Sequence, residues 1–354
     1  MTHLTPRVLA GLGGKFRALA AAPRTSAALR STLASIAAAL IALWLHFDNP
    51  WWAAITGFVV IQQDAAATIS RSVGRIVGTM IGALIGYVGA GMASDHLTFE
   101  VICASSTAFS IYGKERAEHG YAVLLSGVTA LLVMFGSLAE PGAALHLAVY
   151  RSLEILVGVV AACAVDYALA PSTSAASAAA KPGIWSVPVD RDLLVVAISG
   201  GIAIALIPMI WESLQLPGLG QTPITAFIIL TALRHEPTWK AVTRACGCLL
   251  GALYGLAVMP LVGDAFVPWL AALAAGLFAS GHVALGVSEV SYVGTQAGVA
   301  LIMAMIQGLA PSPDILPAIE RLLGVFGGVL VVAVCHPVLV PILRRVLGWS
   351  PEAC

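Results

Sequence analysis

The chain reads as long apolar runs separated by short polar breaks. A helix needs about 20 residues to cross the hydrocarbon core of a bilayer. On that measure the runs predict twelve spans, six in each half. The first six cover 27–46, 51–69, 73–92, 97–112, 120–137 and 146–169. The second six cover 192–211, 219–235, 241–262, 267–285, 291–309 and 320–341. The expected fold class is all-α, a polytopic membrane protein. Two runs are cut short. Apolar residues from Trp51 to Ile61 give way to Gln62, Gln63 and Asp64, and those from Ile224 to Leu233 follow Gln221-Thr222-Pro223. Irregular backbone at membrane depth must be buried in protein or line a wet cavity. Both breaks therefore predict a cavity, with Gln62, Gln63 and Asp64 facing it, and two helices that simply end early are the rival reading. Trp51 and Trp52 read first as interfacial anchors, and Trp52 also as part of a substrate site.

An internal repeat underlies the pattern. Aligned without a gap, Trp51–Gly86 lies on the stretch from about 221 to 255. Arg71 falls on Lys240, Arg75 on Arg244 and Thr56 on Thr225, while Gly78, Gly82 and Gly86 fall on Gly247, Gly251 and Gly255. The expected organisation is a basic cytoplasmic segment (1–26), a six-helix membrane repeat (27–170), a Ser/Ala/Pro-rich linker (171–190), a second six-helix repeat (191–345) and a cytoplasmic tail (346–354). Six spans per half is an even number, so the repeats are parallel, with a pseudo-twofold axis along the membrane normal. The glycine stripes read as packing faces that let backbones approach closely. They are expected to hold the third and ninth spans together. Arg75 and Arg244 are expected at the cytoplasmic interface as structural residues, with a positive inner mouth as the alternative.

Composition agrees. Hydrophobic residues make up 59%, charged residues 10%, and mean hydropathy is +0.93. A soluble domain averages about 25% charged residues. Net charge is zero, which gives no reason to expect nucleic acid as a partner. The six cysteines lack metal-site spacing, and no phosphate loop or His/Glu metal set occurs, so no metal or cofactor is expected and an enzyme is the least supported class. Basic residues cluster in loops of one side, which the positive-inside rule makes cytoplasmic, termini included. Of 18 basic residues, 16 fall there. The opposite loops hold Asp48, Asp95, Glu140, Glu212, Asp264 and Asp314.

The two exceptions are Arg151 and Arg321, each at the start of the last span of its half. Arg151 follows Arg75 by 76 residues and Arg321 follows Arg244 by 77, so they are equivalent. Each has a glycine seven residues on (Gly158, Gly328) and a proline twenty on (Pro171, Pro341). Charge within a span is costly and marks function by default, so the pair reads as a cationic site for an anion, with snorkelling to the interface as the bland alternative. Asp64 and Glu154 are the proton-coupling candidates. Tyr121 and Tyr292 read first as interface anchors and second as residues that stack on substrate, and Gln296 is a candidate for lining the cavity. Asp166 and His282 read as an interfacial and a packing residue.

At Pro50-Trp51-Trp52-Ala53, Gln62-Gln63, Arg71 and Arg75-Ile76-Val77-Gly78-Thr79, with Gly82, Gly86 and Arg151, the chain resembles the fusaric acid resistance protein-like family of aromatic acid exporters. The resemblance covers the first half well and the second through Arg244, its glycines and Arg321. It implies a bacterial inner-membrane protein that exports aromatic carboxylic acids, proton-driven in larger members and served in some by a periplasmic adaptor protein. The family is similar in turn to plant aluminium-activated malate channels, so a passive anion channel stays open as an alternative, as does a non-transport scaffold. The expected partners are a small organic anion, the lipid bilayer and that adaptor. A homodimer is compatible with the sequence.

Overall fold

The computed structural model describes residues 23–140, 142–169, 189–216, 219–232, 237–262, 265–307 and 316–348. Most of the expected N-terminal segment, linker and tail, with Pro171, Arg234, Asp264 and Asp314, lies outside them. The described residues form α-helices and no strand. In the first half these are α1 (Pro23–Trp44), α2 (Trp51–Val60), α3 (Ala65–Met92), α4 (His96–Arg116), α5 (Gly120–Ala139) and α6 (Ala144–Leu169). The second half has α7 (Arg191–Ala205), α8 (Ile207–Leu214), α9 (Thr222–Leu230), α10 (Pro237–Val262), α11 (Phe266–Ala284), α12 (Ser291–Met305) and α13 (Leu316–Val346).

Eight segments are long and apolar enough to cross a membrane: α1, α3, α5, α6, α7 continued by α8, α10, α11 and α13. The chain is a multi-pass membrane protein. The other four predicted spans are of a different kind. Helices α2, α9 and α12 have 10, 9 and 15 residues, and α4 carries Glu100, Lys114, Glu115 and Arg116.

Burial follows the logic of a lipid solvent. On α3, Ile69, Val73, Met80, Ile81 and Leu84 point outward, while Ser72, Arg75, Gly78, Thr79, Gly82 and Gly86 are buried. Residues three and four apart share a helix face, so the apolar stripe faces out and the small and polar stripe faces in. The buried glycines meet α5 rather than the equivalent helix α10. A methyl group at Gly78 or Gly82 would overlap the backbone of Ala122 or Ser126, and one at Gly86 would lie 2.7 Å from Val133 Cβ. Gly247 and Gly251 meet Val293 and Ala297 of α12 in the same way. The stripes thus pack within their own halves, correcting the expected contact between the third and ninth spans. Small residues on α5 and α12 let the backbones close there.

The packing repeats between halves. Helix α6 lies against α1 and α2, as α13 does against α7 and α9. Gly158 sits against the Ala53 carbonyl and Thr56, and Gly328 against the Thr222 carbonyl and Thr225. The halves interlock through α4 on α7 and, reciprocally, α11 on α1.

Both short helices end on cations from elsewhere in the fold. After α2, the carbonyls of Gln62 and Gln63 each accept a 3.2 Å hydrogen bond from Arg30 Nη2, and Arg30 is ion-paired with Asp166. After α9, the Thr231 carbonyl accepts one from Lys114 Nζ at 2.8 Å. A cation at a helix carboxyl end complements its dipole and satisfies carbonyls that the helix leaves open. This is how the breaks are tolerated. It also corrects the reading of Asp166, which is buried at 4% exposure rather than solvated at an interface.

Candidate functional site

The halves enclose a central cavity of about 550 Å³. Arg71, Arg75, Lys114 and Arg151 reach it from the first half, and Lys240, Arg244 and Arg321 from the second. Among the described residues, no Asp or Glu lines it. The rest of the wall is mostly apolar or aromatic, with Trp52, Ile55, Val59 and Val128 facing Ile224, Ile228 and Val299. The four arginines at positions 75, 151, 244 and 321 are 3–7% exposed. Like charges held together out of water repel strongly, and an anion entering such a cavity is correspondingly stabilised.

Local contacts fix Arg71, Arg75, Lys240 and Arg244 without neutralising them, whereas Lys114 is ion-paired with Glu115. Arg75 donates from Nε to Thr56 Oγ1 at 3.0 Å and from Nη1 to the Tyr121 hydroxyl at 3.4 Å. Arg244 donates to Thr225 Oγ1 and the Tyr292 hydroxyl, both at 3.2 Å. Arg71 lies 4.9 Å from the centre of the Tyr121 ring, and Lys240 Nζ lies 3.2 Å from that of Tyr292. Neutral oxygens and ring faces hold cations in place and leave their charge intact. Gln296 Oε1 accepts from Arg244 Nη1 at 2.9 Å.

At the far end, α2 and α9 begin with Trp52 and Gln221 as neighbours of two more arginines. The Arg151 guanidinium stacks 3.6 Å from the Trp52 ring centre. Arg321 Nη1 donates to Gln221 Oε1 at 3.2 Å. Beyond them lies a smaller chamber of about 260 Å³, bounded by Asn49, His146, Tyr150, Glu154 and Gly220. Trp52, Arg151 and Gln221 line both spaces and form the partition between them. Glu154 is 1% exposed, and its Oε1 accepts from the Asn49 backbone N–H at 3.2 Å.

The cavity gathers Trp52, Tyr121, Arg151, Tyr292, Gln296 and Arg321 from the sequence-derived site residues. It does not gather Gln62, Gln63 or Asp64. Gln62 turns back on its own helix end, donating to the Ile61 carbonyl at 2.7 Å, and Gln63 donates to the Leu285 carbonyl at 2.7 Å. Asp64 is the N-cap of α3, accepting from the Ala67 N–H at 2.7 Å. The break serves the helix ends there, not the cavity. Trp51 and Trp52 are partly buried and pack against the core cluster that holds Ile55 and Phe58.

Arg75 and Arg244 are the residues that sequence reasoning placed at the membrane surface. Helix α3 begins at Ala65, eight residues before the predicted span. Arg75 is therefore ten residues inside the helix, about 15 Å at 1.5 Å per residue. A signal existed in the sequence. Arg75 lies on the same face as Gly78 and Gly82, and a face small enough for helix contact is a buried face. Lys114 and Lys240 belong to the basic residues that the sequence assigns to cytoplasmic loops, because a lysine near a helix end carries no mark of the direction it points.

The sequence profile of the Fusaric acid resistance protein family matches residues 26–193, and that described as Fusaric acid resistance protein-like matches residues 202–335. The p-hydroxybenzoic acid efflux pump subunit AaeB of Edwardsiella ictaluri (strain 93-146) is 48% identical over 56 residues, which is 16% of this chain. The matched stretch spans only 9% of that relative's length. No solved structure matches the chain. With both halves matched and the buried arginines and glycine faces set out in duplicate, the chain belongs to the fusaric acid resistance protein family of membrane proteins.

Proposed function

We propose that the chain exports small organic anions, aromatic carboxylates among them, across the bacterial inner membrane by proton-coupled secondary transport. The observation that carries this reading is the central cavity, where seven basic side chains face one another across an apolar and aromatic wall, with no carboxylate lining it among the described residues. Charge-assisted hydrogen bonds from arginine suit a carboxylate, and the apolar wall suits the ring attached to it. The basic end, with Arg71, Lys114 and Lys240, faces the cytoplasm, where the positive-inside rule puts it. Substrate enters there, reaches Arg151 and Arg321, and leaves through the smaller chamber. Trp52, Tyr121, Tyr292 and Gln296 shape its path. Of the two carboxylates considered for proton coupling, Glu154 is favoured, being buried one turn from Arg151, whereas Asp64 is engaged as a helix cap.

The test is flux of labelled p-hydroxybenzoate in proteoliposomes, with and without an imposed proton gradient. Gradient-stimulated flux is expected, falling at least tenfold in the double variant Arg151→Gln/Arg321→Gln, the loss expected when hydrogen bonds to a charged group are removed. Flux unaffected by the double variant removes these arginines from the pathway. Flux equal with and without the gradient identifies a channel.

A further inference from the structure

We propose that the central cavity holds two carboxylate groups at once, one on each half's arginine–tyrosine–threonine cluster. This rests on the reading of the cavity as an organic-anion site and adds its stoichiometry. The first cluster is Arg75 with Thr56, Tyr121 and Arg71. The second is Arg244 with Thr225, Tyr292 and Lys240. Each has an arginine Nε on a threonine hydroxyl, its Nη1 on a tyrosine hydroxyl, and a second cation over the ring of that tyrosine. The geometry is the same at equivalent sequence positions, and both clusters line the same space.

Electrostatics favours double occupancy. Each cluster brings two cations, and no Asp or Glu lines the cavity beside them among the described residues. One bound carboxylate leaves the opposite cluster with its full charge, still repelled by its surroundings and still attractive to an anion. Two carboxylates repel each other, yet the four cations of the clusters, with Arg151 and Arg321 beside them, outnumber them. Hydrogen-bonding capacity points the same way. Arg71 Nε in the first cluster is buried without an acceptor, and a buried N–H without an acceptor is costly.

The clusters are alike but not equal. In the second, Gln296 Oε1 already takes a hydrogen bond from Arg244. The matching position in the first half, four residues after Tyr121, is Leu125, which offers no acceptor. Arg75 thus keeps more of its donor capacity for a ligand, and the first carboxylate binds at the Arg75 cluster.

Two monocarboxylates or one dicarboxylate satisfy this arrangement, and equilibrium dialysis of the full chain in detergent separates them. The probes are labelled p-hydroxybenzoate and labelled benzene-1,4-dicarboxylate. Two p-hydroxybenzoates per chain are expected, in a tight and a weaker step, against one dicarboxylate. Tyr121→Phe removes one hydroxyl and should weaken the tight step about tenfold, and Tyr292→Phe the weaker step. These variants keep the arginines, so they test the sites without the larger lesion of an arginine loss. Binding of the dicarboxylate alone, weakened by both tyrosine variants, supports the pairing with a dianion as its ligand. One p-hydroxybenzoate per chain, sensitive to only one tyrosine, overturns the pairing and leaves the anion site standing. Absence of saturable binding by either acid overturns both readings.

Discussion

Trp52 and Arg151 show how much a single pair of side chains decides. Their stack at 3.6 Å lies in the partition between the large and small chambers, beside Gln221. A cation over an indole contributes about 0.5–2 kcal/mol depending on desolvation, and on the proposed function this contact would close the passage at rest and yield to substrate. Trp52→Ala should therefore raise passive leak of p-hydroxybenzoate from loaded proteoliposomes several-fold, while Trp52→Phe, which keeps a ring face, should leave it close to the parent. Equal leak in all three would deny the pair any role in closing the passage. At this scale the sequence was partly legible. Arg151 and Arg321 stood out because hydropathy isolates a charge inside an apolar run. Arg75 did not, because the run around it is broken by Ser70, Arg71 and Ser72. Those polar residues belong to the helix and lengthen it, which only the fold reveals.

Among the elements, the short helices and the glycine stripes carry the architecture. The stripe could be read directly from spacing, since only small residues at every fourth position permit backbone approach. Its partner could not, because Ala122, Ser126 and Ala297 are unremarkable in an apolar sequence. The prediction is specific to that contact. Leucine at Gly251 must displace the α12 backbone at Ala297, whereas at Gly91 an added Cβ meets nothing within 4 Å. Overpacking of this kind costs about 1–3 kcal/mol, and more where backbone must shift. Gly251→Leu should lower the thermal unfolding midpoint in detergent and Gly91→Leu should not. Equal midpoints would mean that α10 and α12 do not depend on the close approach. The break after α2 is visible in the sequence at Gln62, Gln63 and Asp64, though those residues serve helix ends rather than the cavity, whereas α9 ends at Leu230, inside an apolar run that the sequence alone does not interrupt. What satisfies both helix ends was invisible: Arg30 and Lys114 lie 32 and 117 residues from the carbonyls they meet.

Across the whole molecule, the repeat is nearly symmetric in its cations and asymmetric in its acids and amides. Arg75 matches Arg244 and Arg151 matches Arg321, but Trp52 is matched by Gln221, and Glu154 lies one turn from Arg151 where Gly324 holds the equivalent place before Gly328. A symmetric pore of cations would pass anions down their gradient and no more. Coupling to protons needs a group that titrates, and among the described residues Glu154 is the carboxylate lining the chamber beyond the partition. It is buried, it sits one turn from the arginine of the partition, and Gly324 holds the equivalent place in the second half. Glu154→Gln keeps the shape and the acceptor for the Asn49 N–H while removing the proton site. The expected result is p-hydroxybenzoate flux that no longer responds to an imposed proton gradient, with dialysis binding within a factor of a few of the parent. If gradient stimulation survives in Glu154→Gln, the coupling proton travels elsewhere and the asymmetry of the two halves has another purpose. If the parent shows no stimulation, the cationic cavity is a passive path, and Glu154 acts on the charge of its outer mouth.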